Sequence, residues 1–283
     1  MALIDGEEVS LEDLRGALLE ASGAIVLEEA ALERLLIREC QRAGVTISAE
    51  ASVSERRAFV EALTGLAGAA DSSEAERLLA QVRAERGLGD LRFAALLRRN
   101  AMLRALVAPG IRVTPELLSR AYELRFGVRY RCRLITAPTL AEIVAAKRRV
   151  DGGELFSVVA AEVSNDSSAE RGGLLPPISV ADTTWPESVR SAVPRLRPGS
   201  VSDPIALDSG YALLLLDEVL PAAPDAPGTV EGARAILEQD VRREQERSEM
   251  ARLARRLLTE AQISVLDRAL EPAWRRRRSA SVP

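Results

Sequence analysis

The stretch that decides the fold is residues 153–178, which read GELFSVVAAEVSNDSSAERGGLLPPI. Its apolar side chains recur at helical spacing and predict a short amphipathic helix. They are Phe156, Val159, Ala160 and Val163. The run SNDSS at 164–168 consists of turn formers that end this helix. Gly172 and Gly173 indicate a place where the backbone adopts a positive φ or closely approaches another segment, just before an apolar strand.

Two stretches further along the chain extend this pattern. One is RPGSVSDPI at 197–205, and the other is SGYALL at 209–214. Together with a strand-like segment that begins at residue 128, they resemble the parvulin-type (PpiC or rotamase) peptidyl-prolyl isomerases, in order and spacing, over about residues 128–220. That family has the same apolar helix, an S.D.SS turn, a GGDLG strand start, a PG-x-VS turn and a GYHI strand.

The beginning of the chain resembles the N-terminal chaperone module of SurA- and PrsA-like foldases. Residues 3–12 (LIDGEEVSLE) match the start of that module, and about six predicted helices follow. A plain helical bundle is the alternative interpretation. The segment from Val230 to Gln262 predicts a long helix with widely spaced apolar residues, which we expect to return to this module.

These patterns predict an α+β protein. It consists of a mostly helical module and a parvulin-like domain with a small mixed four-stranded sheet and packed helices. The predicted divisions are a helical chaperone-like module (1–127), the parvulin-like domain (128–221), a returning C-terminal helix (222–266) and a basic flexible tail (267–283). The tail contains Trp274 and the run Arg275–Arg278, for which an electrostatic tether to acidic lipid or nucleic acid is the alternative.

Composition excludes several kinds of chemistry. The chain has 283 residues and no histidine, which removes histidine general acid–base catalysis, Ser-His-Asp triads and histidine metal sites. Its two cysteines, Cys40 and Cys132, form neither a zinc site nor a disulfide framework. The net charge of −4 favours no nucleic-acid partner. We therefore expect no metal and no cofactor.

The cellular location is predicted from two sequence features, namely apolar runs and the N-terminal stretch. No apolar run approaches the roughly 20 residues that a membrane span needs. The opening MALIDGEEVS is acidic and has no visible signal peptide, which favours the cytoplasm. A periplasmic or extracytoplasmic location is the alternative if the sequence is a trimmed mature form.

The resemblance also implies a site in which the chain departs from its family. Parvulin sites usually carry two histidines on adjacent central strands, bonded to a cysteine or aspartate of the loop. Asp166 stands at the loop position. The first histidine falls on Arg133, or on Cys132 if the alignment shifts by one residue, and strand alternation favours Arg133. The second histidine falls on Ala212, so both are missing.

The proline pocket implied by the resemblance is altered as well. Leu175 matches the leucine of GGDLG, whereas Leu174 and Pro176 replace its aspartate and last glycine. The pocket methionine falls near Thr184, and the pocket phenylalanine near Ser188 or Val189. The substrate-binding residues expected from this alignment are Leu175, Thr184, Val189, Tyr211, Arg131 and Ser167.

Arginines provide a hypothetical substitute for the histidines. Arg129, Arg131 and Arg133 alternate along one strand, so all three project to the same face. We expect Arg133 to pair with Asp166, and if the other two line the cleft, the site favours acidic or phosphorylated segments. The alternative is that Arg129 and Arg131 are simply solvated.

The function predicted from the sequence is peptidyl-prolyl isomerisation with folding assistance to a protein client. Its expected partners are unfolded or partly folded clients with X-Pro segments, and no nucleic acid. The alternative is a non-catalytic chaperone or scaffold that binds clients through the helical module, including a dedicated maturation factor. The missing histidines favour this alternative, because they leave a weakened site.

Overall fold

The structure is a computed structural model that describes residues 2–67, 72–224 and 226–280. The strands are β1 (Ala2–Ile4), β2 (Glu7–Val9), β3 (Arg129–Ala137), β4 (Ile205–Leu207) and β5 (Gly210–Leu220). The α-helices are α1 (Leu11–Leu18), α2 (Ala24–Ala43), α3 (Ala49–Ala67), α4 (Ser72–Glu85), α5 (Asp90–Val107), α6 (Pro115–Phe126), α7 (Leu140–Asp151), α8 (Phe156–Val163), α9 (Glu187–Ala192), α10 (Arg234–Glu260) and α11 (Glu271–Ala280).

Two compact units make up the chain. The first consists of Met1–Ile111 and Glu244–Pro283, and the second is Arg112–Arg243. This division differs from the predicted domains, because α6 and the first part of α10 belong to the second unit. Leu118 of α6 packs in one cluster with Leu237 and Val241 of α10, a long-range contact that local patterns do not reveal.

In its described residues, the first unit consists mainly of helices, together with the β1–β2 hairpin and short connecting segments. Its main cluster joins α2, α5 and the second part of α10, through Leu36, Cys40, Met102, Leu103 and Leu257. The guanidinium of Arg104 on α5 contacts Glu55 of α3 and Glu246 of α10, and both carboxylates are largely buried. This ion network gives the three helices a specific register in addition to their apolar contacts.

The end of the chain differs from the predicted flexible tail. Residues Glu271–Ala280 form α11, and Trp274 is only 6% exposed, in a cluster with Ala24 and Ala273. Arg277 also pairs with Glu28 of α2, at 2.7 Å from Nε to Oε2. The packing was hard to predict from the sequence, because only two apolar side chains anchor this short helix and a run of arginines follows them. Residues 281–283 of the predicted tail lie outside the described residues.

The second unit is built on a three-stranded antiparallel sheet in the order β3–β5–β4. With the surrounding helices it confirms the α+β class. The predicted fourth strand lies beside β3, where the Leu134 amide donates to the Gly173 carbonyl, but it forms only isolated bridges. Pro176 and Pro177 carry no N–H, so they interrupt this ladder. The described sheet is therefore antiparallel and three-stranded rather than mixed and four-stranded.

The sheet has two buried faces. Cys132 and Leu134 point to one face and Ile135 and Ala137 to the other, as alternation requires. The second face is covered by α7 and α8, through residues such as Ile143, Ala146, Phe156, Val159 and Ala160. A register shift between Arg131 and Cys132 leaves Asp217 of β5 without a Cα partner, which is a β-bulge.

Candidate functional site

The first face of the sheet carries an apolar cluster to which several predicted pocket residues belong. Strands β3 and β5 contribute Cys132, Leu134, Ala212, Leu214 and Leu216. Leu175 and Val189 pack against this floor, so the structure brings two of the predicted substrate-binding residues together with Ala212. Leu175 is 8% exposed and Val189 is 3% exposed.

Sequence reasoning missed Trp185 in this cluster. Its side chain is half-buried against the same apolar floor. The guanidinium of Arg190 fixes the preceding loop, because Nε donates to the Trp185 carbonyl and Nη1 to the Val180 carbonyl. In a chain with only two tryptophans, an indole in the loop between Leu175 and Val189 was the signal that could have identified it.

The loop that carries Asp166 is anchored on β3. The Thr136 amide donates to Ser164 Oγ at 3.0 Å, and the Asn165 amide donates to the Thr136 carbonyl at 3.0 Å. Asp166 caps the 3₁₀ turn that follows, since its Oδ1 accepts from the Ser168 amide at 2.8 Å. Ser168 is buried, and its hydroxyl has no hydrogen-bond partner among the described residues. The expected loop acid is therefore held in place by the backbone.

The expected Arg133–Asp166 pair does not form in this structure. Arg133 Nε donates to Asp217 Oδ2 at 3.1 Å, and its Nη1 donates to the Gly172 carbonyl at 3.1 Å. The reason is strand alternation together with the bulge. Arg133 projects to the face opposite Cys132, and the unpaired residue Asp217 places a carboxylate beside it.

The remaining predicted site residues are spread around the unit. Arg131 pairs with Glu218 at 2.7 Å, and both side chains are about half exposed. Tyr211 packs at the edge of the second face, away from Leu175 and Val189. Thr184 is exposed, and its hydroxyl donates to Asp182 Oδ1 at 2.7 Å. Ser167 is exposed in the loop that Asp166 caps. The structure does not bring these four residues into the apolar cluster.

The geometry bears on the choice between Cys132 and Arg133 for the first histidine position. Cys132 lies on the same sheet face as Ala212, whereas Arg133 lies on the other. Of the two candidates, Cys132 is therefore the one that shares a sheet face with Ala212. Burial, together with the negative charge of Asp217, raises the pKa of the Cys132 thiol to about 12, which keeps the sulfur protonated at neutral pH.

Glycines 172 and 173 allow the loop to approach the sheet. Their φ values are +62° and +78°, a region that L-residues with side chains rarely adopt. A Cβ atom on Gly173 would lie 2.5 Å from the Leu134 carbonyl oxygen, and one on Gly172 would lie 2.6 Å from the Cβ of Ser157. The positive φ predicted from the Gly-Gly pair is confirmed.

The described part of the chain contains no group of histidine, cysteine and acidic side chains that could hold a metal ion. Across residues 2–67, 72–224 and 226–280, no helix combines the length and the apolar character that a membrane crossing needs. The apolar cluster of the second unit is itself buried, and partly buried side chains such as Trp185 pack at its margin. A proline ring or another apolar side chain could contact the cluster at this margin.

Comparison with known proteins relates part of the second unit to a known family. Residues 136–218 match the family model described as "Rotamase: PPIC-type PPIASE domain". A foldase protein PrsA of Clostridium botulinum is 35% identical over 83 residues, which are 29% of this chain and 25% of that protein. The foldase protein PrsA of Clostridium acetobutylicum is 35% identical over 80 residues, 28% of this chain and 24% of the relative. The match therefore spans about a quarter of these relatives.

A solved structure is similar over a longer range. The crystal structure of the peptidylprolyl isomerase PrsA from Bacillus anthracis aligns with a TM-score of 0.48 at 17% identity, and covers 86% of this chain and 100% of that chain. The matched segment contains the Asp166 loop, the Gly172–Gly173 pair and most of the apolar floor. By the family match, residues 136–218 are similar to the PPIC-type domain of the rotamase family.

Proposed function

We propose that the second unit binds X-Pro segments of protein clients and assists their folding as a peptidyl-prolyl cis–trans isomerase. The observation that carries the proposal is the apolar floor in which Leu175 and Val189 meet Ala212, within a segment that matches the rotamase family. The curated relatives are foldases by name, and the chain matches about a quarter of each. The client and the activity of the whole protein are part of the proposal.

The reaction makes modest chemical demands. The barrier to rotation about an X-Pro bond is about 18–20 kcal/mol, and rotation transfers no proton and forms no covalent intermediate. A site accelerates it by binding the twisted amide more tightly than either planar form. The apolar floor would hold the proline ring, and the capped loop at Asp166 would border the rotating amide. Neither role requires a histidine.

A second function is favoured by one specific observation. Ala212, at the position of the second family histidine, and Cys132, one of the two candidates for the first, are 0% exposed and present no charged group at neutral pH. A domain that keeps the apolar cluster and lacks these polar groups would bind clients without isomerising their X-Pro bonds. The protein would then be a chaperone, a scaffold or a maturation factor dedicated to one client.

The test is isomerisation of short X-Pro peptides with acidic, basic or apolar residues before the proline. Wild type is compared with Asp166→Ala and Asp166→Asn, and Asp208→Ala is the matched control in an exposed turn of the same unit. If the acid contributes by its charge, Asp166→Asn loses the acceleration although an asparagine can still cap the turn. If it contributes only as a cap, Asp166→Ala loses activity and Asp166→Asn keeps it.

Each result separates the two functions. Acceleration by wild type and by Asp208→Ala, reduced in at least one Asp166 variant, supports the enzyme. Absence of acceleration for every peptide, from protein with native tryptophan fluorescence, contradicts it and favours the non-catalytic function. Binding is then measured with the same peptides, and loss of binding in a Trp185→Ala variant that stays folded would locate it at the margin of the apolar floor.

A further inference from the structure

Residues 262–266 (QISVL) of the first unit form an extended segment between α10 and α11. Exposure alternates along it as in a strand: Gln262, Ser264 and Leu266 are exposed, whereas Ile263 and Val265 are half-buried. The two half-buried side chains pack on the cluster that contains Trp274. Burial that alternates with a period of two residues is typical of a strand that packs one face on the protein.

The main chain of this segment has no hydrogen-bond partner among the described residues, whether as donor or as acceptor. The nearest main-chain bonds are the Ala261 amide to the Leu257 carbonyl and the Glu271 amide to the Asp267 carbonyl. A short strand with unpaired N–H and C=O groups is a template for another strand. An extended peptide that pairs with it would add main-chain hydrogen bonds without displacing any existing one.

A groove runs between this segment and α11. Its volume is about 430 Å³, and its walls are Ile263–Val265 on one side and Glu271, Trp274, Arg275 and Arg278 on the other. An extended chain in this groove would run its backbone along residues 262–266. The size is within the range of pockets that hold small ligands or a few side chains.

Charge determines which peptide fits. Two guanidinium groups, those of Arg275 and Arg278, border the groove, against the single carboxylate of Glu271. Arg278 is fixed, because it lies 5.9 Å from the centre of the Trp274 ring and its Nη1 donates to the Leu258 carbonyl. Arg275 is 77% exposed and pairs with Glu271, so its guanidinium remains accessible to a second carboxylate. The excess of guanidinium groups favours acidic side chains.

We propose that the groove between residues 262–266 and α11 binds an extended peptide segment of a protein partner, with alternating apolar and acidic side chains, as an added β-strand. The unpaired main chain of Ile263–Val265 provides the pairing edge, and Arg275 and Arg278 select acidic residues. This site lies wholly within the first unit and does not depend on isomerase activity in the second.

The experiment measures binding of a fluorescent peptide that alternates valine and glutamate to the full chain, with a valine–lysine peptide as the charge control. Ser264→Pro removes one main-chain donor, and Ser264→Ala is its matched control, because it removes the same exposed hydroxyl and keeps the N–H. We expect Ser264→Pro to weaken binding about tenfold and Ser264→Ala by less than about twofold. Arg275→Gln should weaken binding and reduce its salt dependence.

Three results would overturn the proposal: equal binding of the two peptides, equal effects of the proline and alanine variants, or unweakened binding to Arg275→Gln. A DNA oligonucleotide that binds more tightly than the peptide and ignores Ser264→Pro would identify a polyanion site instead. If Ser264→Pro does not fold, an N-methylated peptide on wild type replaces it, and undiminished binding of that peptide contradicts strand addition.

Discussion

At the scale of single residues, the buried thiol of Cys132 connects packing to pH. Burial raises its pKa to about 12, with Asp217 adding to the effect, so folding favours the protonated thiol. In the unfolded chain a cysteine ionises near pH 8.5. The contribution of Cys132 to stability is therefore complete below about pH 8.5 and is lost as the pH rises towards about 12.

We accordingly expect the free energy of unfolding of the second unit to fall above about pH 9, by up to about 1.4 kcal/mol per pH unit from this group. Urea unfolding read by Trp185, at several pH values between about 7 and 10.5, measures it, and Cys132→Ala should flatten the dependence. Cys40→Ala is the control, because that thiol lies in the other unit. Equal slopes in wild type and Cys132→Ala would contradict the assignment.

The glycine pair allows a second test at this scale. Gly173→Ala combines a positive φ with a Cβ 2.5 Å from a carbonyl oxygen, whereas Gly153→Ala has φ +98° and no atom within 4 Å. We expect Gly153→Ala to cost about 1–2 kcal/mol from backbone strain alone, and Gly173→Ala to cost at least about 3 kcal/mol. Urea unfolding of the two variants gives the comparison, and similar losses would show that the close approach to Leu134 carries no cost.

These residues also show what a sequence can reveal. The need for glycine at 172 and 173 is a property of the local backbone, so it was predictable. The partner of Arg133 was not, because it depends on a bulge at Asp217, some 84 positions away in the chain. The choice between Cys132 and Arg133 likewise depended on which face of the sheet holds Ala212, and only the pairing of β3 with β5 decides that.

At the scale of elements, the described part of the structure contains two capping boxes. Ser10 and Asp13 cap α1, and Thr139 and Glu142 cap α7. Capping boxes can be predicted from sequence because they extend over only four residues. The strand predicted at 173–178 was less accurate, since the tandem prolines leave an extended segment that pairs with β3 only in part.

The two helices differ in what else stabilises them, and this gives a prediction. None of the α1 residues is buried, whereas α7 buries Ile143 and Ala146. We expect Ser10→Ala to abolish hydrogen-exchange protection in α1 and leave global unfolding unchanged, because α1 depends on its cap. Thr139→Ala should instead lower the free energy of unfolding of the second unit by about 1 kcal/mol. A global loss from Ser10→Ala would show that α1 has packing contacts in solution.

At the scale of the whole molecule, each compact unit has its own core and its own tryptophan. Trp274 reports on the first unit and Trp185 on the second. Multidomain chains commonly depart from two-state unfolding. The continuous helix α10 contributes to both units and is the element through which their stabilities would be coupled.

We expect Leu257→Ala to lower the unfolding midpoint reported by Trp274, at a cost of about 2–5 kcal/mol, and to leave the midpoint reported by Trp185 in place. Leu216→Ala should do the reverse, since Leu216 is buried in the second unit. Trp185→Phe and Trp274→Phe backgrounds isolate the two signals. Equal shifts of both midpoints by either variant would mean that α10 makes the chain unfold as one cooperative system.

The position of Leu257 in the first core also has a consequence for biosynthesis. The residues it covers, Leu36, Cys40, Met102 and Leu103, leave the ribosome long before it does. At about 5–20 residues per second, the roughly 150 intervening residues take about 10–30 s to translate. During that interval the second unit can be completed, while the part of the chain made first still exposes an unfinished apolar surface. The unit that is synthesised first is thus the last to close.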